Sequence, residues 1–222
     1  MKRPRSITAV ALGCLVLLAG CMINTGPPPV RPAAFTPLGL NAGYLNGDVI
    51  GGRGARAAKL RAAKIAALNP YAVPDYMARL ERELRNQTAG IGIDVLRIPD
   101  GLLIRVPAAL TFDPGSAAIK PQIDATLTEV ARTLKVYNQT YVDVLAHTDT
   151  SGAPQGNLVL SQKRAAAAAA FLGGHGVARA RIASRGLGES APLYTADVDE
   201  TEKAANRRVE IRLVAYRQTD SR

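Results

Sequence analysis

The stretch that most restricts the fold is TYVDVLA (140–146), followed by HTDTSGAPQG and an alanine-rich run that stops at Gly173-Gly174. The first piece reads as a strand. Gly152 and Pro154 turn the chain through a loop, and a helix is expected from about Asn157 to Leu172. A strand feeding such a helix must bury its apolar side against a second layer. The flanking segments supply that layer. Pro121 opens a helix whose Ile123, Leu127, Val130 and Leu134 recur at i, i+4, i+7 and i+11. RIASRGLG (181–188) reads as a short strand. In AANRRVEIRLVAY (204–216), Val209, Ile211 and Leu213 alternate with Arg208, Glu210 and Arg212, the pattern of a strand with one buried and one wet face. LTFDPGSAAIKP (110–121) opens the series. The expected class is α+β in the order βαβαββ, a mixed sheet with helices on one face, over residues 108–222.

Upstream, residues 69–107 read as a lead-in of one helix and one hairpin. Asp75 is the expected N-cap of YMARLERELRNQ, with apolar positions at 76, 77, 80 and 84. IGIDVLRI (91–98), a Pro-Asp-Gly turn and LLIRV (102–106) make the hairpin. Residues 39–68 hold two unusual runs. Glycines at 39, 43, 47 and 51 form a four-residue repeat that suits either a flexible linker or a close helix contact. RGARAAKLRAAKIAAL (53–68) carries Arg53, Arg56, Lys59, Arg61 and Lys64 with no acid. It is expected to be a helix that either lies against an anionic surface or is simply solvated, because its charges spread around the wheel. Five prolines in residues 27–37 make residues 21–38 an extended tether.

The first twenty residues begin with the basic MKRPR and continue as the apolar ITAVALGCLVLLAG, too short to span a bilayer comfortably. They end in Leu18-Ala19-Gly20-Cys21, which resembles the lipobox of bacterial lipoproteins. The resemblance implies a signal peptide over residues 1–20 and acylation of Cys21 (palmitate among the chains). With Met22 rather than Asp after the cysteine, it also implies an outer-membrane destination facing the periplasm. The one other cysteine, Cys14, lies in the segment that would be removed, so the mature chain would have no disulfide and no thiolate metal site. The formal charge of +10 is N-terminal in origin: residues 108–222 carry 14 basic against 12 acidic side chains. That near balance argues against a nucleic-acid partner.

Candidate chemistry gathers after the strand 140–146. Asp149 lies just past the strand end, where open sheets receive ligands and the next helix points free N–H groups. On that helix Asn157, Ser161 and Arg164 share one stripe. A lone carboxylate facing a lone guanidinium can receive a zwitterion, ammonium to Asp149 and carboxylate to Arg164. Equally, the two can pair with each other and brace the loop. The chain's two histidines, His147 and His175, have no cysteine or paired carboxylates beside them, and no ligand spacing for a metal occurs. His147 is expected to be structural, and the chain to be no enzyme and to need no cofactor.

AHTDTSG, NLVLSQKRA, GLGESAP and NRRVEI together resemble the OmpA-like C-terminal domain over residues 108–215. This is the peptidoglycan-binding module also found in the peptidoglycan-associated lipoprotein and in flagellar stator proteins. The lipobox and the lead-in look closest to lipoproteins of the YiaD type. The resemblance implies a non-catalytic clamp on the diaminopimelate residue of the stem peptide. Asp149 would take the ligand ammonium and Arg164 its α-carboxylate. Asn157 and Ser151 would make polar contacts, Arg207 would be a second ligand-facing arginine, and Gly115 would offer only its backbone. The implied function is a tether between outer membrane and cell wall. A membrane-associated assembly protein acting through residues 39–68, with the wall domain as anchor, is the alternative. Whether it forms homo-oligomers or meets other envelope proteins stays open.

Overall fold

The structure, a computed structural model, describes residues 49–221. Cys21, the proline tether and the glycine repeat as far as Gly47 lie outside the described residues. α1 (Arg53–Ala62) comes first, and α2 (Val73–Thr88) follows. The hairpin β1 (Asp94–Ile98) and β2 (Gly101–Pro107) is next. Then come α3 (Ala108–Thr111), α4 (Pro121–Val136), β3 (Thr140–His147), α5 (Pro154–Gly174), β4 (Ile182–Gly188), α6 (Glu200–Asn206) and β5 (Arg208–Ala215). Among the described residues no helix is long and apolar enough to cross a membrane.

The strands form one five-stranded sheet in the order β1-β2-β5-β3-β4. β3 and β4 are parallel, joined through α5, while β5 runs antiparallel to both β2 and β3. The last strand therefore sits in the middle of the sheet. The expected order βαβαββ holds, but its first strand is β2 rather than 110–121. The hairpin is thus part of the sheet and not a preface to it. Residues 110–121 instead finish α3, make a turn at Asp113–Ser116 and close in a single bridge, Phe112 to Ile119.

One face of the sheet carries the main core. Ile104 on β2, Val142 and Val144 on β3 and Ile211 and Leu213 on β5 pack with Leu80 and Leu84 of α2 and with the helix stripe Ile123, Leu127, Val130 and Leu134. Each such side chain contributes about 1.5–3 kcal/mol by leaving water. α2 starts two residues before Asp75, which lies in its first turn, and Asn69 caps the preceding 3₁₀ turn by accepting from the Tyr71 N–H at 3.0 Å. α5 begins at Pro154, three residues earlier than the alanine content alone suggests, because proline at the first helical position needs no N–H partner. It lies so close to β4 that a Cβ on Gly186 would come within 2.1 Å of the Gln162 backbone nitrogen. Only glycine fits there.

The opposite face is not wet. Arg208, Glu210 and Arg212 are all buried. α1 covers part of this face through Ala57 and Leu60, which pack with Tyr141, Val214 and Tyr216. The third buried residue of α1 is a charge: Arg56 pairs with Asp143 of β3 and also donates to the Arg181 carbonyl. The basic helix is therefore amphipathic after all, with an arginine on its buried side, and only part of its charge faces solvent. Asp143 also accepts from Arg212 at 2.8 Å and from the Ile50 N–H at 3.0 Å. Farther along the same face Glu210 accepts from Arg208 at 2.8 Å and Arg105 at 3.3 Å. Beneath α4, Arg181 has its guanidinium on the carbonyls of Leu134, Tyr137 and Thr140, and burial pushes it down to about 10.

Candidate functional site

Four elements converge at the C-terminal end of β3. The strand register shifts between Ala146 and His147, and the Thr148 N–H then donates to the Gly188 carbonyl at 2.9 Å. This releases the chain from the sheet and leaves Asp149 at the lip of the loop that leads into α5. Across from it are α3 with the Asp113–Ser116 turn, the middle of α5, and Arg207 at the entry to β5. Together they enclose a cleft of about 490 Å³. Asp149, Ser151, Asn157, Arg164, Arg207 and Gly115 all line it. All six residues named from the sequence are thus brought to one place. Cys21 lies outside the described residues.

Their contacts differ from a simple two-handed clamp. Asp149, only 7% exposed, pairs with Arg207 at 2.6 Å and accepts the Ser151 N–H at 3.1 Å. Arg207 reaches Glu200 with its other nitrogen. Burial opposes charge on Arg207, but Glu200 and then Asp149 outweigh it and raise its pKa. Arg164 is 5% exposed, donates to the Ser116 carbonyl at 2.8 Å and the Asp113 carbonyl at 3.2 Å, and lies over the Phe112 ring. The brace between Asp149 and Arg164 is not what forms: the carboxylate pairs with Arg207, and Arg164 holds the turn. Burial, then the nearby charge of Arg207, push the Arg164 guanidinium below its ordinary range, with Asp149 acting the other way. Among the described residues no carboxylate pairs with Arg164 (the carbonyl dipoles stabilise its charge but do not cancel it).

The turn itself follows from Asp113-Pro114-Gly115-Ser116. Proline presets the first corner, and Gly115 takes φ +69°, the left-handed value its place in such a turn requires. The Ser116 N–H closes it on the Asp113 carbonyl at 3.0 Å. Asn157 works inward. Its amide donates to the carbonyls of Asp149 and Ser151 at 3.2 and 3.1 Å and to Glu189 at 2.8 Å. Ser161, on the same stripe, does not line the cleft: its hydroxyl accepts the Gly188 N–H at 2.8 Å and donates to the Leu158 carbonyl. Two charged cleft residues escaped sequence reasoning. Lys120 donates to the Ala109 carbonyl at 3.0 Å and sits 3.3 Å from Asp113. Glu200 lies on α6, a helix whose signal was the pattern Asp199-x-x-Glu202. Asp199 accepts the Glu202 N–H, and Glu202 accepts the Val198 N–H, both at 2.8 Å.

His147 points to the opposite face of the sheet, 3.5 Å from Glu210 and 1% exposed. Burial holds it below the usual histidine range despite Glu210, so it is neutral when folded. Glu210 is held well below the carboxylate range; burial acts against this, and the guanidinium groups of Arg208 and then Arg105 outweigh it. Unfolded, His147 takes up a proton near pH 6.5, the ordinary value. Its contribution to stability is therefore complete above that pH and is lost as pH falls below it, by at most about 1.4 kcal/mol per pH unit. Chemical denaturation between pH 7.5 and 5 is expected to show that slope, and His147→Gln to flatten it. A loss that begins only below about pH 4.5 would belong to Glu210 instead. Among the described residues no group of three or more His, Cys, Asp or Glu is placed to hold a metal ion.

Comparison with known proteins gives the site its setting. Residues 111–207 match the OmpA family. "Probable lipoprotein YiaD" of Escherichia coli (strain K12) is 39% identical over 223 aligned residues, covering 96% of this chain and 98% of that protein. The peptidoglycan-associated lipoprotein of Brucella melitensis is 28% identical over 123 residues, 54% of this chain and 73% of that one. Among solved structures, the cell wall anchor of the T6SS from Pseudomonas aeruginosa superposes with a TM-score of 0.56 at 26% identity, covering 63% of this chain and 99% of that one. An OmpA-type segment preceded by a helix and hairpin, in a chain matched end to end by a probable lipoprotein, leaves one conclusion: the chain belongs to the OmpA family and is a homologue of YiaD.

Proposed function

We propose that the cleft binds peptidoglycan by the diaminopimelate residue of its stem peptide, and that the chain, acylated at Cys21, ties the outer membrane to the wall from the periplasmic side. One observation carries this. Arg164 is a buried guanidinium held on two carbonyls, with no carboxylate among the described residues paired to it, and it opens into a cleft shared with Asp149. Burying a charge without a counter-ion is costly. A ligand carboxylate repays that cost through a forked, charge-assisted contact. Asp149 has oxygen lone pairs left after Arg207 and Ser151, enough to take an ammonium. The names of two relatives, a peptidoglycan-associated lipoprotein and a cell wall anchor, support the same reading.

In this reading the residues divide the work. Arg164 receives the α-carboxylate, and Asp149 receives the ammonium while remaining tied to Arg207. Asn157 and Ser151 shape the loop. Gly115 presents backbone only, since no side chain stands there to fill the cleft. No bond is made or broken, so the chain acts as a binder and not as an enzyme. Calorimetric titration of the full chain in detergent tests it, using a diaminopimelate stem peptide beside the same peptide carrying lysine. Lysine keeps an ammonium but lacks the second carboxylate. Binding of the first alone is the expected result. Equal binding of both would remove Arg164 from the ligand, and binding of neither would overturn the reading.

A further inference from the structure

We infer that Asp197 is the positioning residue of the cleft, setting the distance between the Asp149 loop and Arg207 without touching ligand. The inference rests on the function proposed above, though part of its test does not. Asp197 lies in the connection between β4 and α6 and is 1% exposed. It does not line the cleft. Its carboxylate accepts the Thr150 N–H at 2.8 Å, the Thr150 hydroxyl at 2.5 Å and the Asn206 amide at 3.1 Å. Thr150 is the neighbour of Asp149, and Asn206 is the neighbour of Arg207. One buried carboxylate thus bonds to the residue beside each member of the ion pair.

The far end of this bracket is rigid. Asn206 is fully buried, and its oxygen accepts the N–H groups of Leu193 and Tyr194 at 2.7 and 3.0 Å. Its amide also donates to the Tyr194 carbonyl at 2.8 Å. The near end is not rigid by itself. Asn157 ties the Asp149 loop to α5, and toward β5 the Asp149–Arg207 pair is backed by Asp197 through Thr150. The backbone at Asp197 has φ +29°, a left-handed value that Asp and Asn tolerate better than other side chains. A residue in a disfavoured conformation with both its carboxylate oxygens engaged, beside a binding cleft, is a mark of enforced geometry.

Asparagine can replace it contact for contact. Its oxygen would receive the Thr150 N–H and the Asn206 amide, and its NH₂ would donate to the Thr150 hydroxyl, which can accept. Alanine can replace none of these. The expected result for Asp197→Ala is at least a tenfold loss of stem-peptide affinity, and for Asp197→Asn a value within about threefold of wild type. Hydrogen exchange supplies the readout that needs no ligand. The Ser151 amide bonds to the Asp149 carboxylate, so its exchange reports how firmly that carboxylate is held. It is expected to quicken at least tenfold in Asp197→Ala, to return in Asp197→Asn, and to leave the amide of Val144 in β3 unchanged. Should Asp197→Ala fail to fold, Thr150→Val removes only the hydroxyl contact at an exposed position and is expected to move affinity and Ser151 exchange the same way. Wild-type Ser151 exchange and affinity in the Ala and Val variants would overturn the inference. So would an affinity loss that Asp197→Asn does not rescue. If wild type binds no stem peptide, the proposed function falls, and Ser151 exchange still decides the role of Asp197.

Discussion

Arg164→Ala is expected to remove stem-peptide binding almost completely. Cutting one partner of a buried, hydrogen-bonded charge pair costs about 2–5 kcal/mol, on the order of 30-fold to 4,000-fold in affinity. Full chain carrying Arg164→Ala is expected to stay in the supernatant when sedimented with cell-wall sacculi, and Asp149→Ala to do the same. Folding is expected to survive. The Asp113–Ser116 turn keeps its own hydrogen bond when the guanidinium is gone, and Phe112 beneath it stays packed in the main core. Arg164→Lys separates charge from shape. An ammonium restores the positive charge but cannot hold two carbonyls and a carboxylate in one plane, so it is expected to rescue binding poorly. Sedimentation of both alanine variants at wild-type levels would remove the pair from the site.

Asp143→Ala is expected to cost about 3–5 kcal/mol of stability, the range for breaking a buried ion pair. Asp143 is fully buried and pairs with both Arg56 and Arg212. Its loss leaves two guanidinium groups sharing an interior without their common carboxylate, and it frees the Ile50 N–H. Against a typical total of 5–15 kcal/mol, that is a large fraction. The urea midpoint is expected to fall with little change in slope. Arg56→Met tests the same contact from α1. It removes the charge but keeps an apolar stem over Tyr141, and it is expected to cost less. A loss below about 1 kcal/mol for Asp143→Ala would mean that apolar packing alone, through Ala57 and Leu60, holds α1 on the sheet.

Both predictions concern charged residues, and the two were not equally legible. Asp149 and Arg164 stand out locally. One follows a strand end, the other lies within three turns of a helix start, and the surrounding motifs resemble a known module. Asp143 does not stand out: it lies within TYVDVLA as an ordinary polar position of an alternating strand. Its partner Arg56 is 87 residues away, and its other partner Arg212 is 69 away. The same blindness made the Arg208, Glu210, Arg212 face look wet and made α1 look evenly charged. Alternation records which side chains share a face, but not what later covers it.

By itself the sequence determined what depends on neighbours along the chain. Helices α2 and α4 followed from their period, α5 from its alanine run, the hairpin from its Pro-Asp-Gly turn, and the six residues named for the cleft from motifs that resemble a known module. Tertiary structure alone decided the rest. It put the hairpin into the sheet, because β5 needed a partner on each side. It paired Asp149 with Arg207 and put Arg164 on the carbonyls of the Asp113–Ser116 turn. It put Arg56 inside, because Asp143 awaited it there. Each choice compares the free energy of contacts between distant segments with that of water, and such contacts exist only once the chain has closed.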